Sequence, residues 1–576
     1  MKVAHKLSKN FFENELYKNE VGSNIGFLTA NRKGDFASYF NQNQSRYQGW
    51  FFRNFGKVYR AIEDISLIMG EGKIIELRNE FWRSVRVSKI NGKVIEESFF
   101  LPEKNRGLVY ETTGNPRFNL FLDFKPIYDN SDAERFYKID LYKKNIIIEC
   151  KNQKEKIFLA VKMDAPNFSV KEQWQKRTYS YDIDRNSPPY DRYVFWAAEI
   201  NASKMVIGAG DTKKQALEEA NYIFNKTSKL KEQKKQAIKA SLDLSKTKNS
   251  QLNMAYYCAQ NSLRELIYEE HNKKQISAGL PWFFQSWARD SFISMKTLLN
   301  KNENLFWKIC FQDFNQTADS IGWLFKRIGE VIEKNKVNEI TAWRVKKYLE
   351  KSLENLEKIL DKTTWMDSID RSGERIETQA LKLYMLKMAY NLTNDSSYKI
   401  AETSLKFNVK EKFWNGKIIK DGPNDNTIRP NVFLAYYIYP ELLEQKEWQL
   451  CFDNVLSALW LPWGGVSTID KNSIYFNANH TGENSQSYHS GDSWFYINNL
   501  TAIVLKRNNP ERYRDYIDKI LEASTKEILT MGAIGCHGEL SSASELKSQG
   551  CWSQAWSNAM FIELVREMKE GRPPHN

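Results

Sequence analysis

Over residues 1–210 apolar and polar positions alternate in short runs, broken by Gly, Asn, Asp and Pro. FWRSVRVSKINGKVIEESFF holds two such runs around Asn91-Gly92. That dipeptide suits a two-residue hairpin turn, because both residues tolerate positive φ. GLVYETTG, RFNLFLDFKPIYD, FYKIDLYKKNIIIEC, EKIFLAVKMDAP, RTYSYDI and DRYVFWAAEI continue the pattern. Short strands at this spacing predict an antiparallel β-sandwich domain over 1–210.

Near Asp211 the period becomes helical. DTKKQALEEANYIFNKTSKLKEQKKQAIKASLDL is polar and Lys-rich, and it reads as a linker helix within 211–246. From 247 to 576 helix follows helix. In QLNMAYYCAQNSLRELIYEEH, Leu252, Ala255, Ala259, Leu263 and Leu266 recur at helical spacing. Similar segments lie near 290–300, 318–334, 338–361, 376–392, 396–413, 430–446, 447–459, 490–507, 509–530 and 552–569. The longer loops between them carry Trp, Gly, Asp, His and Arg: 275–289, 362–375, 414–429, 460–489 and 531–551. Alternation of this kind fits helical hairpins closed into a ring, with function on one rim.

Composition narrows the picture. The chain has 576 residues, which predicts more than one domain. Its net charge of +13 would suit a nucleic-acid binder, but the lysines are spread along the chain and no nucleic-acid module accompanies them. No nucleic-acid partner is expected. No apolar run approaches the ~20 residues of a membrane span. The first residues hold no secretory leader, so the expected location is cytoplasmic. Six scattered cysteines without a CxxC pair read as buried reduced thiols. Gly-rich phosphate loops, HExxH, GxSxG and metal-ligand spacings are absent from the sequence, so neither cofactor nor metal is expected. Exposed polar helices suit a monomer or a homodimer.

Aromatic residues make up 14% of the chain, and they gather beside charged ones. PWFFQSWARD places Trp282, Phe283, Phe284 and Trp287 ahead of Arg289 and Asp290. On a first helical turn those two charged side chains diverge by about 100°, so they could grip different hydroxyls of one small ligand. The same stretch alone also reads as a helix cap with a surface ion pair. TTWMDSIDRSGERIETQAL sets Asp367 beside Trp365 and Met366, where apolar neighbours would raise a carboxyl pKa as a general acid requires. Glu539 sits in the Gly-rich loop GCHGEL, ahead of the helix start QAWS with Trp556. Each of these acids alone also reads as an ordinary loop carboxylate. IRPN with Arg429, and YHSGDSW with His489, repeat the pairing of polar groups with rings at helix starts. Two carboxylates facing each other across a pocket are the apparatus of glycoside hydrolysis.

In this order, PWFFQSWARDSFIS, TTWMD, RIETQAL, IRPN, YHSGDSW, GEL and QAWS resemble the amylo-α-1,6-glucosidase domain of glycogen debranching enzymes, and more distantly glucoamylase, whose Trp-x-Arg-Asp segment matches Trp287 to Asp290. NIGFLTANRKGDFASYFNQNQSRYQGWFF is similar to the N-terminal sandwich of the prokaryotic members. The resemblance implies an N-terminal antiparallel β-sandwich followed by an (α/α)6 barrel. It implies inverting release of glucose from α-1,6 branch points of glycogen or limit dextrin, with Asp367 as general acid and Glu539 as general base. Trp282, Trp287, Arg289, Asp290, Trp365, Glu377, Arg429, His489 and Trp556 would bind the α-glucan. Ala288 stands where the family usually has Gly, Gln48 where it has His, and the segment between Asp290 and Asp367 is short for the family. These departures keep open an α-1,4- or α,α-1,1-acting relative of glucoamylase or trehalase, or a glucan-binding protein without catalysis.

Overall fold

The computed structural model describes residues 1–570 apart from 8–15, 21–24, 42–44, 55, 69, 71, 132–133, 144, 154, 166, 299–302, 312–318, 335–336, 356–363, 367–368, 370 and 483–484. The chain forms two compact units. One comprises Met1–Phe284, Lys526–His537 and Cys551–Ser553; the other comprises Gln285–Thr525, Gly538–Gly550 and Gln554–Asn576.

The first unit is a β-sandwich. Its larger sheet runs, in spatial order, Phe136–Tyr142, Asn145–Lys151, Lys156–Met163, Lys204–Gly210, Gly107–Thr112, Lys93–Phe100, Ser84–Ile90, Lys73–Asn79, Lys2–Lys6 and Leu16–Glu20. The smaller runs Asn167–Thr178, Asp191–Asn201, Arg117–Pro126, Lys57–Leu67, Gly49–Asn54, Phe36–Phe40 and Gly26–Ala30. Among the described strands of these two sheets pairing is antiparallel except between Lys2–Lys6 and Lys73–Asn79. At the Asn91-Gly92 turn, Ile90 pairs with Lys93 and both turn residues have positive φ. Alternate residues meet in one core, with Trp50, Phe52, Tyr59, Leu120 and Leu122 packed among Leu108, Tyr110, Ile148, Leu159 and Ile207.

RTYSYDI departs from the expected strand. Ladder pairing stops at Thr178, and Ser180–Asp184 forms a helical turn. The cause is a buried polar demand: the Asp182 carboxylate accepts the Ser45 hydroxyl at 2.7 Å and the Arg46 amide at 2.8 Å.

The helix Lys213–Ser241, read from sequence as a linker, packs along the larger sheet. Thr212 and Gln215 cap its start reciprocally. Its buried stripe is Ala216, Ala220, Ile223, Thr227, Leu230, Lys234 and Ile238. Close approach depends on glycine in the strand below, since a Cβ on Gly208 would lie 2.5 Å from the Ala220 nitrogen and one on Gly210 2.7 Å from the Ala216 nitrogen. Lys234 is buried yet satisfied, donating to the Ala30 and Leu101 carbonyls and pairing with Glu265 at 3.5 Å.

The second unit is the helical barrel. Its helices include Ser320–Lys334, Ile376–Thr393, Ser396–Phe413, Gln445–Leu459, Phe495–Asn508 and Ala555–Glu570. The segment expected over 430–446 ends at Ile438, because Pro440 cannot continue it. Buried charge ties several helices together. Arg327 donates to Glu330 and to the Tyr437 hydroxyl, each at 2.8 Å, and Tyr437 in turn donates to Glu563 at 2.7 Å. Among the described residues no helix is long and apolar enough to cross a membrane.

Candidate active site

Arg289 and Asp290 open the helix Ala288–Ser294, behind Trp287 at its N-cap. Arg289 turns to Asp319, with Nε to Oδ1 at 2.6 Å. Asp290 is buried; Gln554 Nε2 reaches its Oδ1 at 3.5 Å, while its Oδ2 has no hydrogen-bond partner. Burial pushes this carboxyl up to about 7, against the pull of Arg289; the charges of Asp319 and Glu539 push the same way as burial. The pair is therefore a buried feature, not a surface cap. Trp287 is 43% exposed. Trp282 falls in the first unit, its ring 4.9 Å from Tyr47 and 5.8 Å from Trp552, with the Arg185 guanidinium 3.9 Å from its centroid.

Five rings form one connected wall in the second unit. Trp365 meets His489, Trp494 and Tyr496 edge-on, each at 5.3 Å between centroids. His489 stacks on Trp494 at 5.1 Å, and Tyr496 stacks on Trp556 at 4.3 Å. Trp365 donates its indole N–H to Asn431 Oδ1 at 2.9 Å. His489 is fully buried and neither ring nitrogen has a partner. Burial, then the charges of Arg429, Arg371 and Arg289, hold it well below its ordinary pKa, so it is neutral. Arg429 donates to the His489 carbonyl at 2.9 Å and to that of Thr468 at 3.0 Å.

Glu539 is delivered to this wall by a short ladder in which Ser493–Trp494 pairs with Leu540–Ser541, and the Phe495 amide donates to the Glu539 carbonyl at 3.2 Å. The side chain is buried. Tyr488 donates its hydroxyl to Oε1, and the Tyr488 ring lies 4.7 Å from Trp494 and 4.9 Å from His489. On the other side Gly550 leaves room: a Cβ there would collide with Oε2 and lie 3.0 Å from the Glu539 Cβ. Asp367 lies outside the described residues. Trp365 and Met366, just before it, are buried, and Met366 Sδ accepts from Asn431 Nδ2 at 3.4 Å.

Behind the wall sits a charge cluster. Arg371 donates to both oxygens of Asp421, at 2.8 and 2.7 Å, and to both of Glu377, at 2.8 and 3.3 Å. Arg375 adds contacts to Asp421 and Asp425, and Asn431 donates to Asp421 at 2.8 Å. Glu377 is thus engaged by a guanidinium on both oxygens.

The structure brings Trp365, His489, Trp556 and Glu539 into one ring-walled cluster, and the Glu539 charge adds a small upward push on the Asp290 pKa. Sequence reasoning did not select Tyr496, Gly550, Arg371 or Asp421. Tyr488 opens the segment YHSGDSW, and Gly550 precedes the Cys-Trp ahead of the last helix. Neither spacing announces a partner in Glu539. Among the described residues no group of three His, Cys, Asp or Glu side chains could hold a metal ion.

Residues 251–306 and 298–563 match the family described as Amylo-alpha-1,6-glucosidase. No curated protein matches the sequence. Among solved structures, a bacterial glucoamylase complexed with acarbose is similar over 96% of each chain, with a TM-score of 0.60 at 12% identity. A glycosidase in complex with glucose is covered over 100% of its length by 57% of this chain, with a TM-score of 0.44 at 10% identity. The glucoamylase likeness extends over the sandwich and the (α/α)6 barrel alike.

Proposed function

Because the chain belongs to the amylo-alpha-1,6-glucosidase family of glycoside hydrolases, we propose that it releases glucose from α-1,6 branch points of glycogen or limit dextrin, with inversion. The observation that carries this reading is the setting of Glu539. Its carboxylate is buried, receives the Tyr488 hydroxyl, and fits against a glycine beside a wall of aromatic rings. A general base for water needs such a fixed, desolvated acceptor.

In the proposed single displacement, Glu539 draws a proton from water as the water attacks the anomeric carbon. Asp367, assigned through the family motif, protonates the departing glycosidic oxygen. Such a pair stands roughly 6.5–9.5 Å apart to admit the water. Rings suit the substrate because the C–H faces of a pyranose pack on electron-rich aromatic faces. Arg289 and Asp290 would hold hydroxyls of the terminal glucosyl unit; Trp287, Trp365, Glu377, Arg429, His489 and Trp556 would shape its surroundings.

The test is product analysis on limit dextrin, isomaltose, maltose and trehalose, with the anomer followed by NMR. β-Glucose released first from limit dextrin is the expected result. Preference for maltose or trehalose would move the bond cleaved to α-1,4 or α,α-1,1. Retention of configuration would remove Glu539 as a base for water, and binding without release would leave a glucan-binding protein.

A further inference from the structure

The β-sandwich unit carries an open cleft of about 900 Å3 that none of the proposed hydrolytic residues lines. That volume falls within the roughly 300–1,000 Å3 of small-molecule sites. One wall is the hairpin end at Tyr142 and Asn145, the floor is the strand end at Lys162 and Met163, and the opposite wall is the start of the helix Lys213–Ser241. The walls are fixed, because the helix is seated on the sheet through Gly208 and Gly210 and capped at Thr212.

The lining chemistry is mixed. Tyr142 is 43% exposed and lines the cleft beside the apolar Met163 and Leu217, with the Lys143 and Lys213 ammonium groups 5.5 and 5.8 Å from its ring centroid. Of the four lysines that line the cleft, Lys143 stands over the Tyr142 ring, and the other three come with acidic or amide neighbours. Lys213 stands 3.5 Å from Asp140, Lys214 3.8 Å from Glu218, and Lys162 donates to Asn221 Oδ1 at 2.6 Å. With three of the four lysines already engaged, the cleft favours a neutral ligand over a phosphate-bearing one. A ring, aliphatic surface, and donors interleaved with acceptors fit a neutral polyhydroxylated chain, whose hydroxyls both donate and accept and whose C–H faces stack.

We propose that this cleft is a second, non-catalytic binding site for a linear α-glucan segment, with Tyr142 as the ring on which a glucosyl unit packs and Lys162 and Asn221 as its hydroxyl partners. The choice of ligand rests on the reading of the chain as an α-glucan hydrolase. A second anchor would raise the effective concentration of a polymeric substrate at the enzyme without touching the chemistry of a short one.

The experiment uses the full chain, its Tyr142→Ala and Lys162→Ala variants, and native gels containing glycogen, alongside kcat/KM on isomaltose and on limit dextrin. The expected result is retardation of the wild type by glycogen that weakens about tenfold in Tyr142→Ala, with a higher KM on limit dextrin and unchanged kinetics on isomaltose. Lys162→Ala, at a side chain that faces the helix Lys213–Ser241 while its neighbours Val161 and Met163 face the sandwich core, should weaken retardation in the same direction. Equal retardation of all three chains, or none of the wild type, would overturn the proposal. So would millimolar inorganic phosphate releasing the wild type from glycogen, because the cleft would then be an anion site. Tyr142-dependent retardation in a chain that hydrolyses no α-glucan would sustain the cleft while ending the hydrolytic reading.

Discussion

Tyr488 donates its phenolic hydroxyl to Oε1 of Glu539; Tyr488 ends the helical turn Ser485–Tyr488, Glu539 lies in a loop, and the ladder between Ser493–Trp494 and Leu540–Ser541 brings them together. A hydrogen bond to a charged group contributes about 1.5–3 kcal/mol. Tyr488→Phe removes the donor and little else, because the ring keeps its contacts with Trp494 and His489. The expected outcome is a fall in kcat of about 10–100-fold with a nearly unchanged melting temperature. Steady-state kinetics on limit dextrin, paired with a thermal melt, checks it; wild-type kcat would detach Tyr488 from the reaction.

Gly550 makes a second, steric prediction. Its φ is +67° and an added Cβ would run into the Glu539 carboxylate. Gly416 has φ +88° with nothing within 4 Å. Both Gly→Ala changes carry the left-handed backbone cost of about 1–2 kcal/mol, but only Gly550→Ala pushes on the proposed base. Activity should collapse in Gly550→Ala and survive in Gly416→Ala at similar losses of stability. Parallel activity in the two variants would show that the fit of Gly550 against Glu539 is idle.

The contrast between these residues and the ones found by reading shows where sequence is informative. The Asn91-Gly92 hairpin and the helix 396–413 were legible because period and turn chemistry are local. The ring wall was half legible, since Trp365, His489 and Trp556 sit in conspicuous aromatic segments at loops and helix starts. Gly550 was not, nor was the partner of Tyr488, because both matter through touching Glu539 from 11 and 51 residues away along the chain. The helix Lys213–Ser241 looked like a linker because its polar face dominates composition, while its buried stripe is built from small residues that need Gly208 beneath them. Trp282 was grouped with Trp287 by adjacency, yet the boundary between the two compact units falls between them.

Arg371 and Glu377 separate a structural from a substrate role. Arg371 is buried and holds both oxygens of Asp421 and of Glu377. Removing one member of a buried ion cluster leaves uncompensated charge and costs about 3–5 kcal/mol. Arg371→Ala is therefore expected to lower stability by that order, and Glu377→Gln to lower the melting temperature. Differential scanning calorimetry reads both. A Glu377→Gln enzyme that melts like the wild type but has lost kcat/KM would instead mean that Glu377 touches the sugar.

Asp290 carries a pH signature. Its carboxyl is pushed from 3.8 to about 7, mainly by burial. Between those values the folded chain keeps a proton that the unfolded chain has released, so raising the pH through this window costs stability. Asparagine cannot titrate. The stability of Asp290→Asn relative to wild type should therefore rise from pH 4 to pH 7 and level off above. Denaturation midpoints of the two proteins across that range test the sign, and a difference that stays flat with pH would mean that Asp290 does not titrate inside the fold.

Hydrolysis itself makes the sharpest demand on the two proposed carboxyls. Positioned proton transfer contributes on the order of 10²–10⁴-fold. Glu539→Gln keeps the shape of the side chain and can still accept from Tyr488 through its amide oxygen, so the ring wall should persist and the melt should barely move. The base is gone, however, and turnover of limit dextrin should fall within that range. Asp367→Asn should fall likewise, but with a dependence on the leaving group that Glu539→Gln lacks, because only the acid assists departure. Activated glycosyl fluorides, which need little protonation, should therefore rescue Asp367→Asn and leave Glu539→Gln slow. Equal rescue of both variants would mean that the roles assigned to the two carboxyls are wrong, even if both residues prove essential.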